Sequence, residues 1–133
     1  MSSEPTPSPQ PPTIAELRDL RRALLNVHRA LLQTQRAEVE QITGPMTPHQ
    51  ALSAAISDPR FAWLRALSEL ITQIDELISS DEPQPGLPAE LLERTHALAG
   101  PPDPSTDFGR HYLRALQLNP DVVLAHRDLI ALL

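Results

Sequence analysis

The sequence predicts an all-α protein, folded as an up-and-down helical bundle of about four long helical layers, some of them kinked at proline. Three observations support this fold class. Leucine and other aliphatic residues recur at three- and four-residue spacing, which is the period of an amphipathic helix. No segment alternates apolar and polar positions with β-branched residues, as a strand would. The 15 prolines, set against only 4 glycines, divide the chain into segments of helix length.

The first segment, residues 1–12, is predicted to be a disordered proline-rich tail. Its sequence, MSSEPTPSPQPP, surrounds the prolines with Ser, Thr, Glu and Gln, a composition that favours polyproline conformations over a packed structure. The tail lacks the charged-then-apolar layout of a signal peptide, so the default expectation is a cytoplasmic location. Residues 13–133 are expected to form a single helical-bundle domain.

The first two helices are predicted from their capping residues. Thr-Ile-Ala-Glu at 13–16 fits a capping box, in which side chains satisfy backbone N–H groups, and the helix should run to about Ile42. Thr-Gly-Pro at 43–45 supplies the stop. A second capping box, Thr-Pro-His-Gln at 47–50, has proline at the first helical position and opens a short helix to about Ser57.

The third helical segment is predicted to run from Pro59 to about Ser79. Pro59 either restarts a helix or kinks one longer helix. The apolar residues of this segment span a broad arc, which suits a helix packed against several neighbours. A linker near 79–88 follows, and Pro88 is expected to begin a fourth helix, which Gly-Pro-Pro at 100–102 ends.

The last two helices are predicted after a linker near 100–105. Ser105 or Thr106 caps the fifth helix, because a hydroxyl oxygen can accept from the first backbone N–H groups. Asn-Pro at 119–120 either caps or kinks the last helix, which is expected to run to Leu133.

Two segments resemble known proteins. Asp-Pro-Arg-Phe-Ala-Trp-Leu-Arg at 58–65, continuing to Ile-Asp-Glu at 74–76, resembles a group of small, uncharacterised helical proteins from bacteria. The resemblance implies a helical fold and a bacterial source, but no activity. Tyr-Leu-Arg-Ala-Leu-Gln-Leu-Asn-Pro at 112–120 looks like a junction between tetratricopeptide repeats. Because no second copy occurs at a 34-residue spacing, we interpret that junction as convergent helix–turn–helix chemistry.

Composition excludes several classes of function. The formal net charge is −6, and all 11 basic residues are arginine. A chain without lysine or cysteine has no Schiff-base or phosphate-binding lysine, no thiolate nucleophile and no cysteine-ligated metal site. The acidic balance argues against nucleic acid as a partner. No apolar stretch approaches the roughly 20 residues of a transmembrane helix, so no membrane partner is expected.

Two histidines are candidate ligands. His28 and His126 each lie on the apolar face of a helix, and the first and last helices of a closed bundle are neighbours. Glu38 adds a carboxylate to the face of His28. Two histidines and a carboxylate can bind a transition metal, and two facing histidines can ligate haem. The alternatives are core or interface histidines, each hydrogen-bonded to a neighbour, and a pH-sensitive interface.

Phe61 and Trp63 are candidate interaction residues near the start of the third helix. Tryptophan is typical of interface hot spots, although it also plugs the ends of bundles. Asp75 flanks the apolar arc and is expected to form a salt bridge with an arginine of a neighbouring helix. The main hypothesis is a small bacterial helical-bundle protein that acts as a non-enzymatic protein–protein interaction or self-association module, with a protein partner or a homodimer. The alternative is a bundle that binds a metal, haem or small ligand through His28 and His126.

Overall fold

The computed structural model describes residues 10–133, and over that range the chain is helical without any strand. Residues 1–9, most of the predicted disordered tail, lie outside the described residues. The elements, in chain order, are α1 (Ile14–Thr43), α2 (Pro48–Ser57), a 3-10 segment (Pro59–Leu64), α3 (Arg65–Ser79), α4 (Leu87–Ala99), α5 (Asp107–Leu118) and α6 (Pro120–Ile130).

Helix α1 begins with half of the predicted capping box. The hydroxyl oxygen of Thr13 accepts from the backbone N–H of Glu16 at 3.1 Å. The Glu16 carboxylate accepts from the Thr13 hydroxyl instead of from the Thr13 backbone, at 3.2 Å. Gly44 ends the helix with φ 86°, and its N–H donates to the Glu40 carbonyl at 2.8 Å. The resulting helix of 30 residues is about 45 Å long.

Helix α2 has the complete capping box that the sequence predicts. The backbone N–H of Thr47 donates to Gln50 Oε1 at 2.9 Å, and the backbone N–H of Gln50 donates to Thr47 Oγ1 at 3.1 Å. Despite this start, α2 contains no buried residue. Asp58 follows with extended backbone (φ −79°, ψ 126°), so Pro59 starts a new element and does not kink one long helix.

The predicted third helix divides into two elements. Its first six residues, Pro59–Leu64, form a 3-10 helix, and the α-helix begins only at Arg65. Phe61 and Leu64 are both buried, at 2% and 4% exposure. Because a 3-10 helix has three residues per turn, it brings these two side chains onto one face, directed into the core.

The later helices begin close to the predicted residues. Gly86, with φ 84°, precedes α4, which starts one residue before the predicted Pro88. Thr106, one of the two residues considered, caps α5 by accepting from the N–H of Gly109 at 2.9 Å. Asn119 caps α6, which ends at Ile130 and not at the predicted Leu133.

Helix α1 is the centre of the packing. Helices α3 and α6 lie along it, α4 packs on α3, and α2 contacts the 3-10 segment. The predicted neighbourhood of the first and last helices is therefore confirmed. The core between these elements is mainly aliphatic, and its completely buried members include Leu17, Leu24, Val27, Leu31, Leu67, Ile74, Leu91, Val122 and Leu129.

One ion pair fastens α3 to α1. Asp75 Oδ1 lies 3.0 Å from Arg21 Nη1, which confirms the interhelical salt bridge expected for Asp75. Both side chains remain partly exposed, so the pair contributes only about 0–1 kcal/mol to stability. None of the helices in residues 10–133 combines the length and apolar character that crossing a membrane requires.

Candidate functional site

An apolar groove lies between α1, α2, the 3-10 segment and the start of α3. We call it the α2 groove; its volume is about 610 Å³. Phe61 and Leu64 form part of its surface as members of the buried core, whereas Leu52 and Ile56 of α2 are 61% and 72% exposed. The other apolar side chains that line it are Leu32, Ala55, Pro59 and Ala62. The groove thus has a buried floor and an exposed apolar rim.

The polar centre of the α2 groove is a hydrogen bond between α1 and α3. His28 Nε2 lies 3.0 Å from Ser68 Oγ, which also lies 3.3 Å from the carbonyl oxygen of Leu64. A hydroxyl has one hydrogen, so both bonds form when Ser68 donates to Leu64 and His28 Nε2–H donates to Ser68. Burial lowers the pKa of His28, which favours the neutral ring with its hydrogen on Nε2 in this arrangement.

The charged side chains at the groove differ in whether they lie next to a group of opposite charge. Asp58 pairs with Arg60, with Oδ2 and Nη2 2.7 Å apart, and hydrogen bonds from the Arg60 side chain and backbone lower the pKa of that carboxyl. Arg65 lines the groove and is exposed, yet no carboxylate among the described residues lies within 4.0 Å of it. Since the lowered pKa of His28 favours its neutral form, the charge at the groove that has no counter-ion among residues 10–133 is positive.

The three candidate metal ligands have separate partners. His28 contacts Ser68, Glu38 pairs with Arg114 at 2.9 Å, and His126 Nδ1 lies 2.8 Å from the Tyr112 hydroxyl. His28 and Glu38 are ten residues apart on one continuous helix, which separates them by about 15 Å along its axis. Within residues 10–133, no three His, Asp or Glu side chains are grouped so that they could hold a metal ion.

Both histidines instead match the hydrogen-bonded interpretation. Tyr112 is completely buried, and burial raises the pKa of its hydroxyl, which therefore stays protonated and donates to His126. Burial also lowers the pKa of His126, which favours the neutral ring, and in the tautomer with its hydrogen on Nε2 the Nδ1 atom accepts this bond. The two rings meet edge to face with their centroids 5.3 Å apart.

The two candidate interaction residues have different surroundings. Phe61 is buried in the core, whereas Trp63 is half-buried. Trp63 Nε1–H donates to the buried Gln35 Oε1 at 2.9 Å, and the indole stacks on His111 with centroids 4.8 Å apart and planes 13° apart. Trp63 therefore connects the 3-10 segment to α1 and α5. Its role as an interaction residue or as a plug at the end of the bundle stays a prediction.

Two features of the site were not identified from the sequence. Leu52, Ala55 and Ile56 have the i, i+3, i+4 spacing of an apolar helix face, and that spacing could have marked α2 as amphipathic. The second feature is His111, which stacks on Trp63 although the two residues are 48 positions apart in the sequence. The first feature was visible as a pattern, but whether the apolar face is covered depends on the tertiary structure.

Comparisons with family models, curated proteins and solved structures found no match to this chain. The resemblances of residues 58–65 and 112–120 therefore stay predictions. The function has to be argued from the geometry of the site.

Proposed function

We propose that this protein is a non-enzymatic interaction module that binds a helical segment of a partner protein in the α2 groove. One observation carries the proposal: α2 buries none of its residues and holds Leu52 and Ile56 over a groove whose floor is the core. Complete burial of such a side chain is worth about 1.5–3 kcal/mol. An exposed apolar rim around a groove is typical of surfaces that bind other proteins.

The spacing of the apolar side chains favours a helix as the occupant. Leu52 and Ile56 are four residues apart on α2, and Leu25 and Leu32 are seven apart on α1. Leu25 is 43% exposed, and Leu32 lines the groove. Two rows at helical spacing can receive the apolar stripe of a third helix, whose side chains recur at i, i+4 and i+7.

The up-and-down arrangement of the bundle and a cytoplasmic location belong to the same proposal. The packing of α3 and α6 along α1, with α4 on α3, supports the arrangement. In this arrangement α2 adds a short arm outside the main layers, where its apolar face can accept a partner.

Selection from a displayed library of random 16-residue peptides tests the proposal. We expect enriched peptides with Leu, Ile or Phe at i, i+4 and i+7, whose binding is lost in the double variant Leu52→Ser/Ile56→Ser. The matched control is Val123→Ser/Leu124→Ser, which removes two apolar side chains of α6 that are 45% and 49% exposed. Peptides that bind the groove variant as tightly as the wild type would refute the proposed site.

Self-association is a second candidate, supported by a different surface. Several apolar side chains in α5, α6 and the C-terminal turn are 40–54% exposed: Leu118, Val123, Leu124, Ile130 and Leu132. A homodimer could bury them. Sedimentation velocity from 5 to 200 μM should then show a dimer that Val123→Ser/Leu124→Ser dissociates and Leu52→Ser/Ile56→Ser does not. A wild-type monomer at all concentrations would eliminate this candidate.

A further inference from the structure

The arginines of this chain divide into two groups. Seven of the 11 lie within 4.0 Å of a carboxylate: Arg21, Arg36, Arg60, Arg94, Arg110, Arg114 and Arg127. The other four have no carboxylate of residues 10–133 within that distance, and all four are exposed: Arg18, Arg22, Arg29 and Arg65. In a chain of net charge −6, these four arginines are a local excess of positive charge among the described residues.

Three of the four form a stripe on α1. Arg18, Arg22 and Arg29 are spaced i, i+4 and i+11, so at 100° per residue they lie within about 40° of one another on the helix. Leu25, 43% exposed, lies on the same side, and Leu32 follows it one heptad later at the α2 groove. Arg29 is therefore next to His28 at the α1 wall of the groove, and Arg22 and Arg18 continue the stripe for about 9 and 15 Å from His28 along the helix axis.

The fourth arginine lies in the groove itself. Arg65, the first residue of α3, lines the α2 groove directly. The carboxylate at the groove, Asp58, is already paired with Arg60. The nine residues outside the described range contain a single carboxylate, Glu4, which could compensate only one of the four arginines.

We propose that the partner is an acidic amphipathic helix, with an apolar stripe that packs on Leu32, Leu52 and Ile56 and a flank of Asp or Glu that faces Arg18, Arg22 and Arg29. This inference rests on the proposed function and specifies the chemistry of its ligand. Charge complementarity carries it, because Arg65 at the groove and the arginines along the adjoining side of α1 have no carboxylate of residues 10–133 within 4.0 Å. A guanidinium group can also donate two parallel hydrogen bonds to one carboxylate.

Each arginine should contribute only a little to the affinity for the acidic helix, and the contribution should decrease as the salt concentration rises. Exposed ion pairs typically change an equilibrium constant by about 1.5- to 5-fold each. Three pairs together should therefore change the affinity by about 10-fold at low ionic strength. At 0.5 M NaCl, where screening is strong over a few ångströms, we expect that difference to shrink to about 2-fold.

The test uses a displayed library of 16-residue peptides with a fixed leucine stripe and flank positions that are randomised among Glu, Gln and Lys. Selection is made against the full-length protein at 50 mM NaCl. We expect Glu to be enriched along one flank, and the selected peptide to bind about 10-fold more tightly than its Glu→Gln counterpart. The triple variant Arg18→Gln/Arg22→Gln/Arg29→Gln should abolish this difference and leave the affinity for the Gln peptide unchanged.

The matched control variant removes three paired arginines elsewhere: Arg94→Gln/Arg110→Gln/Arg127→Gln. It has the same net charge as the triple variant Arg18→Gln/Arg22→Gln/Arg29→Gln, called the stripe variant below, and should retain the preference for Glu. Loss of the preference in this control would show that overall charge alone is responsible and would overturn the inference.

The remaining outcomes separate the two proposals. Peptides that need Leu52 and Ile56 but show no preference for Glu, or prefer Lys, would overturn the acidic partner and leave the docking groove intact. If no peptide depends on Leu52 and Ile56, both proposals fail.

Wild-type protein is also tested on vesicles with about 30% phosphatidylserine and on a single-stranded RNA. Tighter binding to either one than to the selected peptide, lost in the stripe variant, would assign the arginines to that ligand and refute the acidic helix.

Discussion

Two substitutions at the α2 groove should differ greatly in their effect on stability, although both remove a large apolar side chain. Phe61 and Ile56 line the same groove, but Phe61 is 2% exposed and Ile56 is 72% exposed. Phe61→Ala leaves a cavity in the core and should lower the free energy of unfolding by about 3–5 kcal/mol. Ile56 has only about a quarter of its surface out of water, so Ile56→Ala should cost about 0.5 kcal/mol.

Urea denaturation followed by circular dichroism measures this difference. For a slope of about 2 kcal/mol per molar urea, Phe61→Ala should lower the midpoint by about 2 M and Ile56→Ala by about 0.25 M. Val123→Ala, at a side chain 45% exposed on α6, serves as the control for removal of an exposed apolar group. A loss for Ile56→Ala as large as that for Phe61→Ala would mean that the face of α2 is covered in solution. That result would refute the reasoning that the groove is open.

Three further predictions concern hydrogen bonds and protonation. Because burial lowers the pKa of His28 and His126, the unfolded chain binds more protons below about pH 6.5, and the free energy of unfolding should fall as the pH is lowered from 7.5 to 5.5 in urea titrations. Thr47→Ala should cost about 1 kcal/mol of helix stability confined to α2, measured by amide hydrogen exchange. Trp63→Phe leaves the buried carbonyl of Gln35 without its donor and should cost about 1–3 kcal/mol in thermal or urea denaturation.

Each of these predictions has a result that contradicts it. Stability that rises or stays constant on acidification would show that neither histidine is held in its neutral form by the fold. Faster exchange throughout the protein after Thr47→Ala would show that α2 unfolds together with the core. For Trp63, the double variant Gln35→Leu/Trp63→Phe should recover part of the loss, because no unpaired polar group remains. A further loss in the double variant would argue against the hydrogen bond as the cause.

Local chemistry explains what could be predicted from the sequence. The capping box at Thr47 and the Asn119 cap depend on side chains within three residues of the backbone groups that they satisfy. The first occurs as expected, and the second is one of the two alternatives considered for residues 119–120. The 3-10 segment could not be predicted in the same way. Proline at residue 59 is compatible with several helix types, and the choice follows from the core that receives Phe61 and Leu64.

The candidate site shows a second limit of prediction from the sequence. A helical wheel assigns each residue an angle, and it correctly placed His28 on an inward-facing side of α1 and His126 beside the core. The wheel does not show how far apart two residues are along the helix axis, or which residue of another helix each one contacts. It therefore did not show that His28 and Glu38, which share a face, are about 15 Å or three helical turns apart. The partners Ser68 and Tyr112 come from other segments of the chain, and only the tertiary structure identifies them.

The absence of buried residues in α2 has a consequence for binding equilibria. A helix of 10 residues is marginal in water by itself, and α2 buries no residue, so its helical fraction depends strongly on its capping box. If only the helical state binds a partner, the apparent dissociation constant is the intrinsic one divided by that fraction. Weakening the cap at Thr47 would then reduce affinity for the partner without altering any contact in the complex. The residues that begin α2 would thus set how much of the protein is competent to bind at a given moment.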